Sequence, residues 1–221
     1  MPTPRDALLA GATGLVGRAL LGELLKSEHY RGVHVLVRRT PQDIAPTEKL
    51  KIHPVDFARL PTALPPVDDV FIALGTTIKA AGSEAAFRQV DFDFVVSVAR
   101  AARITGARRL AVVSAIGADA KSRLFYSRVK GEMEGAITQL GYESVVIARP
   151  SWLAGDRAAL GQPARPAEIW AARLLGPLGG ILPKGMRPIT ARAVASALVT
   201  AMLDAKPGVH VLKSGAMQPR S

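Results

Sequence analysis

The chain has 221 residues, of which 48% are hydrophobic, and its 29 Lys and Arg exceed its 18 Asp and Glu by 11 charges. This size fits a single domain with a complete apolar core. The chain contains no cysteine, which excludes disulfides, thiolate zinc sites and a cysteine nucleophile, and favours a reducing compartment. Because glycines and an arginine interrupt the apolar run near the N-terminus, we expect no secretion signal and no membrane span, and therefore a cytoplasmic protein.

The basic residues are dispersed along the chain, so the positive charge does not identify its partner. No helix carries a basic stripe with interleaved aromatic residues, and nucleic acid is therefore not expected as a partner. The four histidines lack metal-ligand spacing, so no metal site is expected either. The sequence leaves the small-molecule substrate and the oligomeric state open.

Short, continuous apolar runs alternate with segments of helical period along the chain. Strands are predicted at residues 7–10, 33–37, 49–55, 70–74, 110–113, 145–148 and 209–212, and the run at 49–55 is the weakest. Helices are predicted at residues 15–24, 87–101, 125–140 and 191–203. Ser83 is an expected N-cap and Gly141 an expected C-cap glycine. This order predicts an α/β fold with a doubly wound, Rossmann-like parallel sheet and right-handed crossovers.

The whole chain, residues 1–221, is predicted to form one nucleotide-binding domain. Prolines and glycines divide residues 151–190 into short pieces, and we expect this stretch to form a small cap on the substrate side. Trp152 and Trp170 within it are expected to line the core or a pocket. Lys184 and Arg187 are expected to be surface charges, with contact to an anionic substrate as the alternative.

A glycine-rich turn follows the first predicted strand and opens the first helix, in the sequence ALLAGATGLVGRAL. Gly11 permits the tight turn, Gly14 lets backbone approach a pyrophosphate, and Gly17 allows close packing of helix on sheet. The helix N-terminus would offer N–H groups to the diphosphate, so we expect Thr13, Leu15 and Val16 to contact it as well. The alternative is a turn with only a packing role.

The end of the second strand carries Arg38 and Arg39, where an NAD-binding protein would place an acidic side chain. Guanidinium groups attract a 2′-phosphate, so NADP(H) is favoured over NAD(H). The alternative is that both arginines are only solvated loop charges. Further along the same edge, Asp56 and Phe57 are expected near the adenine, and the run Leu74, Gly75 and Thr76 is expected to border the ribose.

Ser114 closes the fourth strong strand, and Tyr126 and Lys130 follow it in the sequence YSRVK. Residues i and i+4 share one helix face, so the phenol and the ammonium would meet beside the cofactor crevice. A nearby ammonium stabilises a phenolate, which suits Tyr126 to proton transfer, and Ser114 could hydrogen-bond the substrate oxygen. A solvated Tyr and Lys without catalytic roles is the alternative. Asp91 and Asp93 are expected to form a solvated helix edge, with a catalytic pair as the less favoured alternative.

The ordered motifs GATGLVG, LVRR, ALGTT, VSAIGAD, YSRVK and ARPSWL resemble those of the atypical short-chain dehydrogenase/reductases. The chain is most similar to their small Tat-interactive-protein-like and nucleoside-diphosphate-sugar-epimerase-like group, over residues 5–155. The resemblance implies that Tyr126 is the acid/base, that Lys130 binds the nicotinamide ribose and that Ser114 polarises the substrate. It also places Pro150 and Ser151 near the nicotinamide carboxamide, and it supports NADP.

Two features depart from that family pattern. The chain contains no asparagine, whereas short-chain dehydrogenases add an active-site asparagine to Ser, Tyr and Lys. The chain is also short for a sugar-nucleotide epimerase. We therefore expect an NADP(H)-dependent oxidoreductase of a small carbonyl or alcohol, with a non-catalytic, NADP(H)-sensing binding protein as the alternative.

Overall fold

The computed structural model describes residues 3–41, 44–61, 64–154, 185, 187–204 and 206–219. Within these residues a parallel sheet has seven strands in the order β3-β2-β1-β4-β5-β6-β9. These strands are β1 (Arg5–Ala10), β2 (Tyr30–Val37), β3 (Leu50–Pro54), β4 (Asp69–Ile72), β5 (Arg109–Val113), β6 (Ser144–Arg149) and β9 (Gly208–Lys213). The prediction of a doubly wound parallel sheet is confirmed.

The order of the strands reverses between β1 and β4, because the chain first runs outward to β3 and then returns to the other side of β1. Ligands of such sheets bind in the crevice at this point, outside the carboxyl ends of the strands. A second, two-stranded parallel sheet pairs β7 (Leu153–Ala154) with β8 (Ile189–Thr190). The sequence analysis did not predict this small sheet.

Helices connect the strands on both sides of the sheet. They are α1 (Leu15–Lys26), α2 (Ile78–Ala81), α3 (Glu84–Arg88), α4 (Val95–Ile104), α5 (Phe125–Thr138), α6 (Ala191–Asp204) and α7 (Ser214–Met217). The helix predicted at residues 87–101 begins earlier, because the Ser83 hydroxyl accepts a hydrogen bond from the Ala86 N–H and caps α3. A π-helical segment, Gln89–Phe94, then separates α3 from α4.

The two faces of the sheet build separate apolar layers. Ala7 and Leu9 of β1 belong to the layer under α1 and α6, whereas Leu8 and Ala10 belong to the layer under α4 and α5. This division follows from the alternation of side chains along a strand. Helices pack over both apolar layers. The carboxyl ends of β1, β4 and β5 form the edge of the sheet at which a site can form.

A cluster of buried charged side chains joins four strands at the opposite edge of the sheet, where these strands begin. The Asp69 carboxylate accepts hydrogen bonds from the Tyr30 hydroxyl at 2.6 Å and from Arg109 Nε at 2.5 Å, and Arg5 lies 3.4 Å away. These residues come from β1, β2, β4 and β5. Burial and the Asp69 charge raise the pKa of Tyr30, so its phenol stays protonated and donates to Asp69.

Candidate functional site

The glycine turn packs too tightly for any larger residue at two of its three glycines. Gly11 has a φ of +94°, and a Cβ there would lie 2.5 Å from the carbonyl carbon and oxygen of Ala73. A Cβ on Gly17 would lie 1.9 Å from the carbonyl oxygen of Gly11. The turn is thus held in direct backbone contact with the first turn of α1 and with the loop after β4.

Gly14 differs from Gly11 and Gly17 because a Cβ at this position would not clash with backbone. It is the N-cap of α1, no side chain caps this helix, and outside the adjacent residues the nearest atom to a Cβ built on Gly14 is the Gly11 carbonyl oxygen, 3.5 Å away. The first N–H groups of a helix have no intrahelical acceptor and attract anions. Thr13 is exposed here and Leu15 is half-buried, whereas the Val16 side chain is buried in the core. Gly14 therefore leaves space beside the open amides.

Arg38 and Arg39 lie directly after β2, which ends at Val37, and both are exposed. Within the described part of the chain, no acidic side chain pairs with either guanidinium group. At the end of β3, an Asp56 carboxylate oxygen accepts from the Ala58 N–H, and the Phe57 ring is buried against Phe94. The Phe57 side chain is therefore part of the core.

The loop after β4 and the middle of α5 meet at the carboxyl edge of the sheet. A Cβ on Gly75 would lie 3.8 Å from Lys130 Nζ and 3.2 Å from Asp91 Oδ1. The structure therefore brings together the loop that the sequence predicts to border the ribose and the lysine expected to bind it. Strand β4 ends at Ile72 rather than at residue 74, so this loop is longer than predicted.

Asp91 was expected to be a solvated residue, and this expectation is wrong. Its side chain is 1% exposed, and Oδ1 lies 2.7 Å from Lys130 Nζ. The other oxygen, Oδ2, accepts the Thr76 N–H at 2.8 Å. Asp93, two residues along, is exposed as predicted. The sequence does carry a signal for Asp91, since it follows Phe87 by four residues and thus falls on the apolar face of the helix.

Ser114 and Tyr126 occupy different surroundings at the same edge. Ser114 follows β5 and is 5% exposed, and its Oγ has no hydrogen-bond partner among the described residues. Tyr126, in the first turn of α5, is 38% exposed, and its ring centroid lies 5.4 Å from that of Phe87. A buried, unsatisfied hydroxyl is uncommon in folded proteins and calls for a partner such as a ligand.

Pro150 and Ser151 join the site to the last part of the chain. The Pro150 carbonyl accepts the Ile116 N–H at 2.9 Å, which ties together the loops after β5 and β6. The Ser151 hydroxyl donates to the Arg187 carbonyl and accepts from the Ser214 hydroxyl at 2.9 Å. The Ser151 side chain is therefore occupied by structural hydrogen bonds.

The remaining residues singled out from the sequence have mixed outcomes. Trp152 is 52% exposed, so it is not a core residue, because it lies beyond the end of β6. Trp170, Lys184 and most of the predicted cap fall outside the described residues.

His34 and His53 come from neighbouring strands and stack in parallel, with their nearest ring nitrogens 3.1 Å apart. Burial lowers the pKa of both imidazoles.

Comparison with known proteins decides the family. A family model described as NAD(P)H-binding matches residues 11–167, which include the glycine turn, Ser114, Tyr126 and Lys130. This chain belongs to the NAD(P)H-binding family. It is also 36% identical over 183 residues to "Protein fmp52, mitochondrial" of Emericella nidulans, a match that covers 80% of this chain and 77% of that protein.

Solved structures of a short chain dehydrogenase family protein and of an enzyme in complex with NAD show the same fold. A short chain dehydrogenase family protein from Francisella tularensis superimposes with a TM-score of 0.67 at 12% identity, over 97% of this chain and 99% of that one. The Bordetella bronchiseptica enzyme WbmG in complex with NAD gives a TM-score of 0.66 at 15% identity, over 96% of this chain and 74% of that one. Together these matches establish a Rossmann fold in a chain of the NAD(P)H-binding family, which takes a nicotinamide dinucleotide.

The expected cytoplasmic location is wrong. The fungal relatives at 36% identity are named mitochondrial proteins. The expectation rested on the lack of a predicted secretion signal and on the lack of cysteine, and neither distinguishes the cytoplasm from an organelle with a reducing interior. Among the described residues, no helix has the length and apolar character needed to cross a bilayer.

Proposed function

We propose that this protein is an NADP(H)-dependent reductase of small carbonyl compounds, with Tyr126 as the proton donor. The observation that carries the proposal is the buried Ser114 Oγ, which has no partner among the described residues and lies at the end of β5. β5 neighbours β4, whose following loop contacts the glycine turn. A polar group is therefore available beside a dinucleotide crevice, where the oxygen of a substrate would need a donor.

The residues of the crevice fit the diphosphate of a nicotinamide dinucleotide. Gly11 and Gly17 leave no room for side chains in the turn, and Gly14 opens the uncapped amides of α1. When bound, the nicotinamide supplies the hydride that a carbonyl reduction needs. Asp56 and the backbone of Phe57 would border the adenine, and Pro150 and the backbone of Ser151 would border the carboxamide.

Each of the three polar residues would have a separate role. The Ser114 hydroxyl would donate a hydrogen bond to the carbonyl oxygen of the substrate, and the Tyr126 hydroxyl would give that oxygen its proton. Lys130 would hold the nicotinamide ribose, and its charge would favour the phenolate left after the transfer. Tyr126 is partly exposed, so its hydroxyl can exchange its proton with water.

Arg38 and Arg39 support NADP(H) over NAD(H). They follow β2, the strand beside β1, and the crevice of such a sheet receives the adenine ribose at this place. Both are exposed and have no acidic partner within the described residues, so their charge is available to a 2′-phosphate. Bidentate hydrogen bonds from guanidinium to phosphate are among the stronger polar contacts in proteins.

The surface around the carboxyl ends of the strands favours an apolar carbonyl compound over a sugar nucleotide. Large apolar side chains are exposed after β4, β5 and β6, and they include Ile78 at 38%, Ile116 at 47% and Trp152 at 52%. Exposed large apolar side chains after neighbouring strands favour a surface that binds apolar groups.

Ligand binding tests the cofactor, and turnover tests the reaction. We expect titration calorimetry to show tighter binding of NADPH than of NADH. The variant Arg38→Ala/Arg39→Ala should lose about tenfold in NADPH affinity and keep its NADH affinity. The variant Arg100→Ala/Lys206→Ala removes two exposed cations elsewhere and is the matched control. Tighter NADH binding by the unaltered protein would contradict the NADP(H) assignment.

A second candidate is a binding protein that senses NADP(H) without turnover, and the missing asparagine favours it. In that case NADPH would bind, but no carbonyl compound in a broad panel would be reduced. The affinity for a protein partner would then depend on the presence of NADP(H). Consumption of NADPH that requires Tyr126 would exclude this candidate.

A further inference from the structure

The ion pair between Lys130 and Asp91 is the most deeply buried one among the described residues of the site. The two side chains are 5% and 1% exposed, and Nζ lies 2.7 Å from Oδ1. Burying two charges is costly unless they are paired and hydrogen-bonded, and loss of one partner leaves the other uncompensated. The lysine expected to hold the cofactor therefore depends on Asp91 for its charge balance.

Asp91 also fixes the loop that borders Lys130. Oδ2 accepts the Thr76 N–H at 2.8 Å, while Oδ1 is taken by Lys130, so one carboxylate joins the loop after β4 to α5. A Cβ on Gly75 would lie 3.2 Å from Asp91 Oδ1, which shows how closely this loop approaches. An ammonium has three N–H donors, and the contact with Asp91 uses one of them.

The backbone around Asp91 has an unusual form. Asp91 lies in the π-helical segment Gln89–Phe94, between α3 and α4. Such single-turn π-helical interruptions are often found at functional sites. Here the interruption contains the one buried acidic side chain of this helical stretch, and that side chain lies opposite Lys130.

We infer that Asp91 is the positioning residue that aims Lys130 at the nicotinamide ribose, in a chain that has no asparagine to take part in the site. The inference rests on the proposed function, in which Lys130 holds that ribose. Asp91 acts through Lys130 and through the loop at Thr76, not by contact with the substrate. Its charge balances the ammonium, and its two oxygens set the distance between the ammonium and the loop.

Two ligands separate the nicotinamide half of the site from the adenine half. NADPH occupies both halves, whereas adenosine 2′,5′-bisphosphate lacks the nicotinamide ribose. We expect Asp91→Asn to weaken NADPH binding about tenfold in titration calorimetry and to leave adenosine 2′,5′-bisphosphate binding unchanged. Asp93→Asn makes the same chemical change at an exposed residue of the same segment, and it should alter neither affinity.

A double-mutant cycle tests whether Asp91 acts through Lys130. In a Lys130→Met background, adding Asp91→Asn should change NADPH affinity by less than twofold, because the group being positioned is gone. Unchanged binding of adenosine 2′,5′-bisphosphate shows that each variant is folded. Lys130→Gln, which keeps a donor for Asp91, replaces Lys130→Met if the latter does not fold.

Four results would overturn the inference, and the last two separate its failure from that of the proposed function. NADPH affinity of Asp91→Asn within twofold of the unaltered protein, or tighter, would show that Asp91 does not position Lys130. Equal weakening of both ligands would show a purely structural role. If Lys130→Met weakens NADPH binding and Asp91→Asn does not, only this inference fails. If the unaltered protein binds neither ligand, the proposed function itself fails, and this inference with it.

Discussion

The carbonyl oxygen of Gly11 lies where a Cβ atom on Gly17 would be, since the two would be separated by only 1.9 Å. Both atoms belong to backbone, so a rotamer change cannot relieve the clash. We expect Gly17→Ala to lower the free energy of unfolding by roughly 1–3 kcal/mol and to weaken NADPH binding, because the turn must move off the α1 N-terminus. Urea unfolding and titration calorimetry measure the two effects.

Gly22 provides the control for that substitution within the same helix. Apart from the adjacent residues and the backbone of α1 itself, no atom lies within 4 Å of a Cβ built on Gly22, so Gly22→Ala adds helix propensity without a clash. It should raise the free energy of unfolding by about 1 kcal/mol and leave NADPH affinity unchanged. Equal stability of the two alanine variants would contradict the packing described for the turn.

Tyr126→Phe removes the proposed proton donor and keeps the ring that packs on Phe87. We expect kcat for NADPH-dependent carbonyl reduction to fall by about 10²- to 10⁴-fold, with little change in NADPH affinity. Tyr142→Phe is the matched control. The Tyr142 hydroxyl donates to the Ala99 carbonyl at 2.6 Å, so its loss should cost about 1 kcal/mol of stability and no turnover. Full activity of Tyr126→Phe would exclude Tyr126 as the donor.

Ser114→Ala tests the hydroxyl that has no partner among the described residues. Because no hydrogen bond to a described residue is lost, the free energy of unfolding should stay the same or rise slightly, whereas turnover should fall by about 10²-fold. Ser144 also has a buried Oγ without a hydrogen-bond partner among the described residues, but it lies at the other edge of the sheet, where β6 begins. Ser144→Ala should leave turnover intact. A large loss of stability in Ser114→Ala would point to a structural role.

The stacked His34 and His53 predict a loss of stability in acid. Burial lowers the pKa of both imidazoles, and the neighbouring His53 and Lys51 lower that of His34 further. The folded protein thus favours the neutral pair. This contribution to stability is present above the ordinary histidine pKa of about 6.5 and is lost as the pH falls through the lowered values.

Urea unfolding between about pH 7 and pH 5 measures this effect. The free energy of unfolding should decrease toward pH 5, and it should decrease less in His53→Gln, which removes one of the two titrating groups. His29→Gln, an exposed histidine outside the pair, is the control. A decrease of the same size in His53→Gln and in the unaltered protein would rule out the pair as its cause.

The exposed apolar side chains near the site predict a preference among carbonyl compounds. For a series of straight-chain aldehydes, kcat/KM with NADPH should rise with each added methylene, since each buried methylene contributes about 0.8 kcal/mol. Trp152→Ala should reduce this rise in kcat/KM with chain length. Ile104→Ala, at an exposed residue of α4 away from the carboxyl ends of the strands, should not reduce it. Faster reduction of a polar sugar than of the longer aldehydes would contradict an apolar substrate.

The sequence predicted the sheet well because continuous apolar runs mark strands that are buried on both faces. Even the weak run at residues 49–55 is a strand, β3, and Ser83 is the helix cap that it was expected to be. The glycine turn was recognisable because strand, glycines and helix follow one another in a short stretch. Local patterns of this kind can be recognised within about fifteen residues of sequence.

The parts that were missed depend on contacts between distant residues. Asp91 and Lys130 belong to different helices, and only the fold shows that one neutralises the other. His34 and His53 become neighbours because β2 pairs with β3 in one register. Trp152 was expected to line the core or a pocket, and its place beyond β6 leaves half of its surface exposed, which excludes the core.

The contact between Gly11 and Ala73 has a thermodynamic consequence for ligand capture. The walls of the crevice are already fixed against each other by backbone packing, so the conformational entropy of these loops is given up when the chain folds. A dinucleotide that enters then meets rigid amides and needs to immobilise little of the protein. A larger part of the free energy of its contacts with the protein therefore contributes to the affinity of the dinucleotide.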